Sequence, residues 1–189
     1  MKVLGGDPAL ERFIEELAAW GSRTNLVGST DREVLRGHVR EALAAARALP
    51  RGCRVVDLGS GGGLPGVPIA IARADVDVTL VEIRERRVHF LRHVARSLPV
   101  RCTILRQRIE ERDADQVFDV VLMRAVAPLP ASLQLGRPWC APSGALWIWT
   151  RETREALEER GVRDSSEISL GRRGRVLQIS ARSLSNRGG

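Results

Sequence analysis

Apolar positions along the first fifty residues recur at helical spacing. Leu10, Phe13, Ile14 and Leu17 predict one amphipathic helix, with Trp20 near its end. Asp7 is placed to cap it and Pro8 to occupy its first position. Gly21–Ser29 reads as a turn-rich connection. Thr30-Asp31-Arg32-Glu33 has the form of a capping box. It predicts a second helix carrying Val34, Leu35, Val39, Ala42, Leu43 and Ala46, stopped by Pro50-Arg51-Gly52. These two helices are expected over the sheet edge or the mouth of a site.

From residue 54 onward the pattern changes. Short apolar runs at Arg54–Leu58, Val78–Glu82, Arg101–Leu105, Phe118–Met123 and Gly144–Trp149 read as buried strands. Between them lie helical stretches over Pro65–Arg73, Arg84–Ser97 and Pro130–Trp139, with a short helical piece over Ile109–Asp113. A polar helix is predicted over Arg151–Arg160. Ser166–Leu170 and Arg175–Ala181 alternate on either side of Gly171-Arg172-Arg173-Gly174, which predicts a hairpin. Repeated strand–helix units ending in a hairpin imply an α/β fold: a mostly parallel sheet, helices on both faces and an antiparallel end. Such an end favours a methyltransferase-type sheet over a plain dinucleotide domain. At 189 residues a single domain is expected, with a helical extension over 1–50, a core over 51–182, and loose termini at 1–6 and 183–189.

The densest signal is Val55–Val67, reading VVDLGSGGGLPGV. Strand, glycine turn and helix start form the geometry that takes an adenosine-bearing or anionic ligand at the carboxyl end of a parallel sheet. A dinucleotide fingerprint fits Gly61-x-Gly63-x-x-Gly66, but a lone match of this kind is weak. Asp57, just ahead of the first glycine, repels a pyrophosphate and suits the ammonium group of S-adenosylmethionine, directly or through water. Glu82 ends the next strand and is placed for ribose hydroxyls in either ligand. The plain alternative is a structural tight turn with a surface glutamate.

Composition adds little that is decisive. The net charge is +7, carried almost wholly by arginine, Lys2 being the only lysine. This suits a nucleic-acid partner as well as it suits a solvated arginine-rich surface. Cys53, Cys102 and Cys140 are scattered and form no C-x-x-C, so reduced thiols are expected. No apolar run is long enough for a membrane span, and a soluble cytoplasmic protein is expected. His89, His93 and Glu85 share a helical face that could hold a metal. A solvated or RNA-facing surface is preferred, and no metal is expected. Trp139, Trp147 and Trp149 read as core and sheet packing, with Trp147 and Trp149 on one face.

Two further runs carry a resemblance. Arg106-Gln107-Arg108-Ile109-Glu110-Glu111 follows the third strand, and Met123-Arg124-Ala125-Val126-Ala127-Pro128-Leu129 follows the fourth. Together with Gly63-Leu64-Pro65-Gly66-x-Pro68 and Arg86-Arg87-Val88-x-Phe90-Leu91, the chain resembles the glucose-inhibited division protein B family from about Leu10 to Arg182. Asn25-Leu26 also fits.

The resemblance implies a Rossmann-like class I methyltransferase with a seven-stranded sheet. It implies methylation of guanine N7 in 16S ribosomal RNA, free or in the small ribosomal subunit, with S-adenosyl-L-methionine as cofactor; a monomer is expected. By position it implies that Gly59 and Leu64 line the cofactor pocket, with Gly61 and Gly63 in the same turn. Glu82 holds the ribose, and Ile109 and Glu110 meet the adenine. Arg124 lies at the cofactor–substrate junction, and His38 matches a histidine of the second helix. The chain departs from the family where Arg40-Glu41 replace an Asp-Ser pair, Trp20-Gly21 a Trp-Asn, and Trp149-Thr150-Arg151-Glu152 a Lys-Gly. A methyltransferase for another RNA or a small molecule, a cofactor-sensing RNA-binding module, and a nicotinamide dehydrogenase are the alternatives.

N7 chemistry fits these residues. N7 has a lone pair and no proton to remove, so positioning and desolvation carry most of the work. Arginine at 124 suits recognition of guanine or phosphate. A structural ion pair to a site carboxylate is its alternative.

Overall fold

The structure is a computed structural model that describes residues 7–24, 26–160, 162, 164–171 and 174–184. The expected loose start at 1–6, residues 185–189 of the expected loose end at 183–189, Asn25 of the front loop, and Arg172-Arg173 of the hairpin turn lie outside the described residues; Ser183 and Leu184 of that end instead complete a helical turn, with Leu184 buried.

Helix α1 spans Pro8–Thr24 and α2 spans Arg32–Ala48. The Ala9 N–H donates to Asp7 Oδ1 at 2.9 Å, the expected cap. The second cap differs from expectation. Asp31, not Thr30, is the capping residue, accepting from the Glu33 and Val34 N–H groups at 2.8 and 3.1 Å. One more residue of extended chain leaves the carboxylate facing the open N–H groups. Helix α1 also runs past Gly21, where a turn was expected, because that glycine packs against α2's approach: a Cβ there would stand 3.0 Å from Thr30 Cγ2.

Strand β1 (Arg54–Leu58) leads to α3 (Gly66–Ala72), β2 (Asp77–Val81) to α4 (Glu85–Ser97), and β3 (Cys102–Leu105) to β4 (Phe118–Arg124) without a helix. Ile109–Asp113 forms a turn rather than the expected helical piece. Residues 106–113 carry no apolar stripe to bury, and a single helical turn is not stable without one. Instead Arg112 Nη1 donates to the carbonyls of Asp113, Ala114 and Gln116. Helix α5 (Leu129–Gly136) and a 3₁₀ turn precede β5 (Cys140–Thr150), which starts four residues earlier than its apolar run. A shorter α6 (Arg154–Glu158), the hairpin β6 (Ser165–Ser169) and β7 (Arg175–Ser180), and a terminal turn of helix α7 (Ala181–Leu184) follow.

The strand order is β3-β2-β1-β4-β5-β7-β6. All pairs are parallel except those made by β7, which runs antiparallel to β5 and β6. This is the expected seven-stranded Rossmann-like methyltransferase sheet. Side chains alternate between faces with the period of a strand. Val55, Val120, Leu122 and Trp147 face one cluster with α1 to α4, while Val56, Leu58, Val121 and Met123 face the other with α5, α6 and α7. Trp149 packs on the Trp147 side, as expected.

Two arginines fix α2 in place. Arg36 Nη2 pairs with Glu11 Oε2 on α1 at 2.9 Å. Arg73, just past α3, donates to the carbonyls of Ala46, Leu49 and Pro50, closing the open end of α2. α2 is thereby held beside the carboxyl end of β4.

Candidate active site

The chain order reverses between β1 and β4, and ligands of open α/β sheets bind outside the strand ends at such a point. A cleft of about 310 Å³ lies there. Its walls are the backbone of Gly59–Gly62, Leu64, the Leu26–Gly28 loop, and the side chains of His38, Arg87 and Arg124. Gly59 and Gly61 have φ of +69° and +54°, which an L side chain adopts only under strain. A Cβ on Gly59 would reach Val126 Cγ2 at 3.0 Å and Ile109 Cδ1 at 3.9 Å, so the turns after β1, β3 and β4 meet at this residue.

Gly59, Gly61 and Leu64 therefore line the cleft, whereas Gly63 lies behind it, where a Cβ would strike Val67 Cγ2 at 2.6 Å. Ile109 stands beside Gly59, its carbonyl accepting from Trp139 Nε1 at 2.9 Å, and Glu110 is exposed next to it.

The two acidic residues sit beneath the cleft. Glu82 Oε2 accepts from the Gly61 N–H at 3.1 Å and Oε1 from the Arg84 N–H at 2.8 Å, with Arg87 Nη1 3.5 Å from Oε2. Asp57 shares the sheet face of Val55 by alternation and thus lies under the start of α3. Its Oδ2 accepts from the Gly66 N–H at 3.0 Å, and the residue is only 1% exposed.

Burial pushes the Asp57 carboxyl up to about 7; the Gly66 N–H and Arg124 oppose the rise and Glu82 adds to it. Between the unfolded value of 3.8 and about 7 the folded chain keeps a proton that the unfolded chain has released. Stability from this group is thus full below that window and declines as pH rises through it. The decline over the whole window is about 4 kcal/mol. Glu11 and Asp75, held low by Arg36 and Arg73, run in the opposite direction, so the comparison with Asp57→Asn isolates the effect. Urea unfolding at roughly pH 5 and pH 8 is expected to show wild type losing stability relative to that variant at the higher pH. A pH-independent difference would refute the buried carboxyl's role.

Arg124 ends β4. Its Nη2 contacts His38 Nδ1 in a short hydrogen bond and lies 3.3 Å from Glu41 Oε2. His38 Nδ1 is 3.5 Å from the same carboxylate oxygen. Glu41 is 7% exposed. The ion pair to a carboxylate was foreseen, but its partner was missed, because Glu41 had been read only as part of a departure from the family. The signal that could have found it is its place one helical turn after His38, on the same face of α2. Ala125, the next residue, has φ of +54°, unusual for a side chain with a Cβ and the sort of backbone that clusters at functional sites.

A second cavity of about 340 Å³ adjoins the first and shares His38, Arg124 and Ala125 with it. Glu41, Trp149, Thr150, Arg151, Leu170 and Arg175 complete its wall. A larger cavity of about 470 Å³ between α5 and α7 contains no residue of the glycine turn.

Other candidates separate. His93 Nε2 pairs with Glu16 at 2.9 Å, whereas His89 lies 3.8 Å from Glu85. Among the described residues, His, Cys, Asp and Glu form no group of three that could hold a metal. Burial pushes the thiols of Cys102 and Cys140 up to about 11 and about 12, which leaves neither as a thiolate nucleophile near neutral pH. No described helix is long and apolar enough to cross a membrane.

The profile of the GidB family, described as rRNA small subunit methyltransferase G, matches residues 7–173. The chain belongs to this family. A member from Gluconobacter oxydans, named ribosomal RNA small subunit methyltransferase G, is 38% identical over 152 residues, covering 79% of this chain and 78% of its own. One of the same name from Nocardioides sp. is 44% identical over 138 residues, 72% of this chain and 55% of its own. The solved magnesium protoporphyrin IX methyltransferase of Synechocystis, with bound S-adenosylmethionine, shares the fold at a TM-score of 0.59 and 17% identity, covering 89% of this chain and 96% of that one. The family's members are S-adenosylmethionine-dependent methyltransferases, and so is this chain. The cleft fits that cofactor: a backbone-lined cradle at the strand ends where an added Cβ would close the space at Gly59.

Proposed function

We propose that this methyltransferase places a methyl group on N7 of a guanine in 16S ribosomal RNA, free or within the small subunit. The contiguity of the glycine-lined cleft and the second cavity, with Arg124 on their shared wall, carries the reading.

When bound, S-adenosylmethionine supplies a methyl group already activated by its sulfonium. Gly59, Gly61 and Leu64 form the wall against which the adenosyl part rests. Glu82 holds the ribose hydroxyls: two backbone N–H groups occupy only part of a carboxylate's four acceptor positions. Asp57 does not line the cleft; from beneath α3 it holds the Gly66 N–H, and a cationic group bound above it would favour its charged form. Ile109 packs on the adenine edge beside Gly59, and the backbone of Ile109 and Glu110 borders it. Arg124, oriented by Glu41 and His38, would hold the guanine on the wall shared by the two cavities. N7 bears no proton, so these residues need only orient, exclude water and stabilise charge.

The walls of both cavities come from residues of one chain, so the site as proposed is complete without a second copy. The division into an extension over 1–50 and a core over 51–182 follows the same plan, with α2 supplying a wall of the site.

Labelled S-adenosylmethionine incubated with unmodified small subunits is expected to label 16S RNA, and nuclease digestion with mass spectrometry to find the label as 7-methylguanosine. Label on another position or another base would overturn the assignment.

A further inference from the structure

The second cavity lies on the far side of Arg124 from the glycine turn. Trp149 and Arg124 are register partners on adjacent parallel strands, so both side chains leave the same face of the sheet at neighbouring positions. Trp149 is half-buried, unlike Trp139 and Trp147, and it borders the cavity. Among the described residues its Nε1 has no hydrogen-bond acceptor, and the same is true of Arg175 Nε. Two arginines join Arg124 in the wall: Arg151 is exposed at the rim, and Arg175 is half-buried and paired through Nη1 with Glu167 at 2.8 Å; the Glu41 carboxylate in the same wall is held by Arg124 and His38.

Resting on the function proposed above, the geometry points to this cavity as the subsite for the target guanine. The nucleotide is turned out of its RNA strand, with Trp149 as the stacking wall and Arg151 and Arg175 beside the flanking phosphates. An aromatic wall with arginines at the rim is the arrangement that takes an unstacked base and its backbone. A base standing within a helix cannot reach a cleft behind Arg124, so extrusion is required.

Steady-state transfer to small ribosomal subunits tests this on the full chain. Trp149→Ala is expected to raise KM about 10- to 100-fold, with kcat within about threefold and cofactor affinity within about twofold. Trp149→Phe, which keeps a stacking face, is expected to stay near wild type. Arg151→Glu changes an exposed side chain and so does not depend on refolding; it is expected to raise KM and to flatten its dependence on salt. Guanosine 5′-monophosphate, added with S-adenosylhomocysteine present, is expected to quench the part of the fluorescence that Trp149→Phe removes.

An unchanged KM in both Trp149→Ala and Arg151→Glu overturns the assignment, as does a loss in Trp149→Ala that falls on cofactor affinity. If wild type binds cofactor but transfers no methyl group to ribosomal RNA, the proposed function falls, while the quenching still reports whether the cavity takes a guanine nucleotide.

Discussion

Arg124→Ala is expected to lower methyl transfer by 10²–10³-fold or more, the range found when a single preorganised donor is removed from a reacting centre. The same substitution leaves the Glu41 carboxylate, 8% exposed at its side chain, without the guanidinium 3.3 Å away. Removing one partner of a buried pair costs about 3 kcal/mol or more, reduced here by His38 Nδ1, which stays 3.5 Å from the same carboxylate oxygen. The two effects have different remedies. Glu41→Ala placed on top of Arg124→Ala removes the stranded charge and is expected to recover most of the lost stability, read by urea unfolding. It is expected to recover none of the transfer, read under single-turnover conditions. Were transfer to return in the double variant, Arg124 would be a structural ion pair and nothing more. Wild-type transfer by Arg124→Ala would remove it from the mechanism altogether.

Gly66→Ala is expected to destabilise the fold by about 3 kcal/mol and to weaken cofactor binding by about tenfold or more. A Cβ at this residue would stand 2.4 Å from Leu80 Cδ2 and 2.7 Å from Asp57 Oδ2. Leu80 is fully buried in β2 and Asp57 is fixed in β1, so neither neighbour can move aside. Helix α3 has to lift from the sheet instead. That breaks the Gly66 N–H bond to Asp57 and shifts Leu64, and the cleft wall shifts with them. Thermal unfolding and equilibrium dialysis with labelled cofactor measure the two effects. Unchanged stability would mean that α3 does not lie against β1 and β2 at the closeness described.

These variants divide what could be read from the chain and what could not. The strand runs, the glycine turn and the terminal hairpin were legible because each is a local pattern: apolar alternation, glycines in series, two alternating segments around a short turn. The site residues of the glycine turn were legible for the same reason. The Ile109–Asp113 turn was misread because its residues tolerate a helix but have no apolar stripe to bury. The cap at Asp31 was misplaced by one residue because Thr30 and Asp31 are both competent, and only the path of the incoming chain chooses between them. For Trp149 the strand pattern favours packing over base stacking, and Trp149 does pack on the Trp147 side; the pattern shows which face a side chain leaves but not whether that face is covered at the strand's end.

Short-range spacing along the chain is enough for the order of strands and helices, the place of the backbone cradle, and the family to which the chain belongs. Folding was needed to bring Glu41, more than eighty residues before Arg124, to that arginine as its buried partner, and to stand Trp149 beside it over a second cavity. These contacts depend on how α2 is anchored by Arg36 and Arg73, and on the register of β5 against β4. Both are settled by the packing of whole elements rather than by any neighbour along the chain.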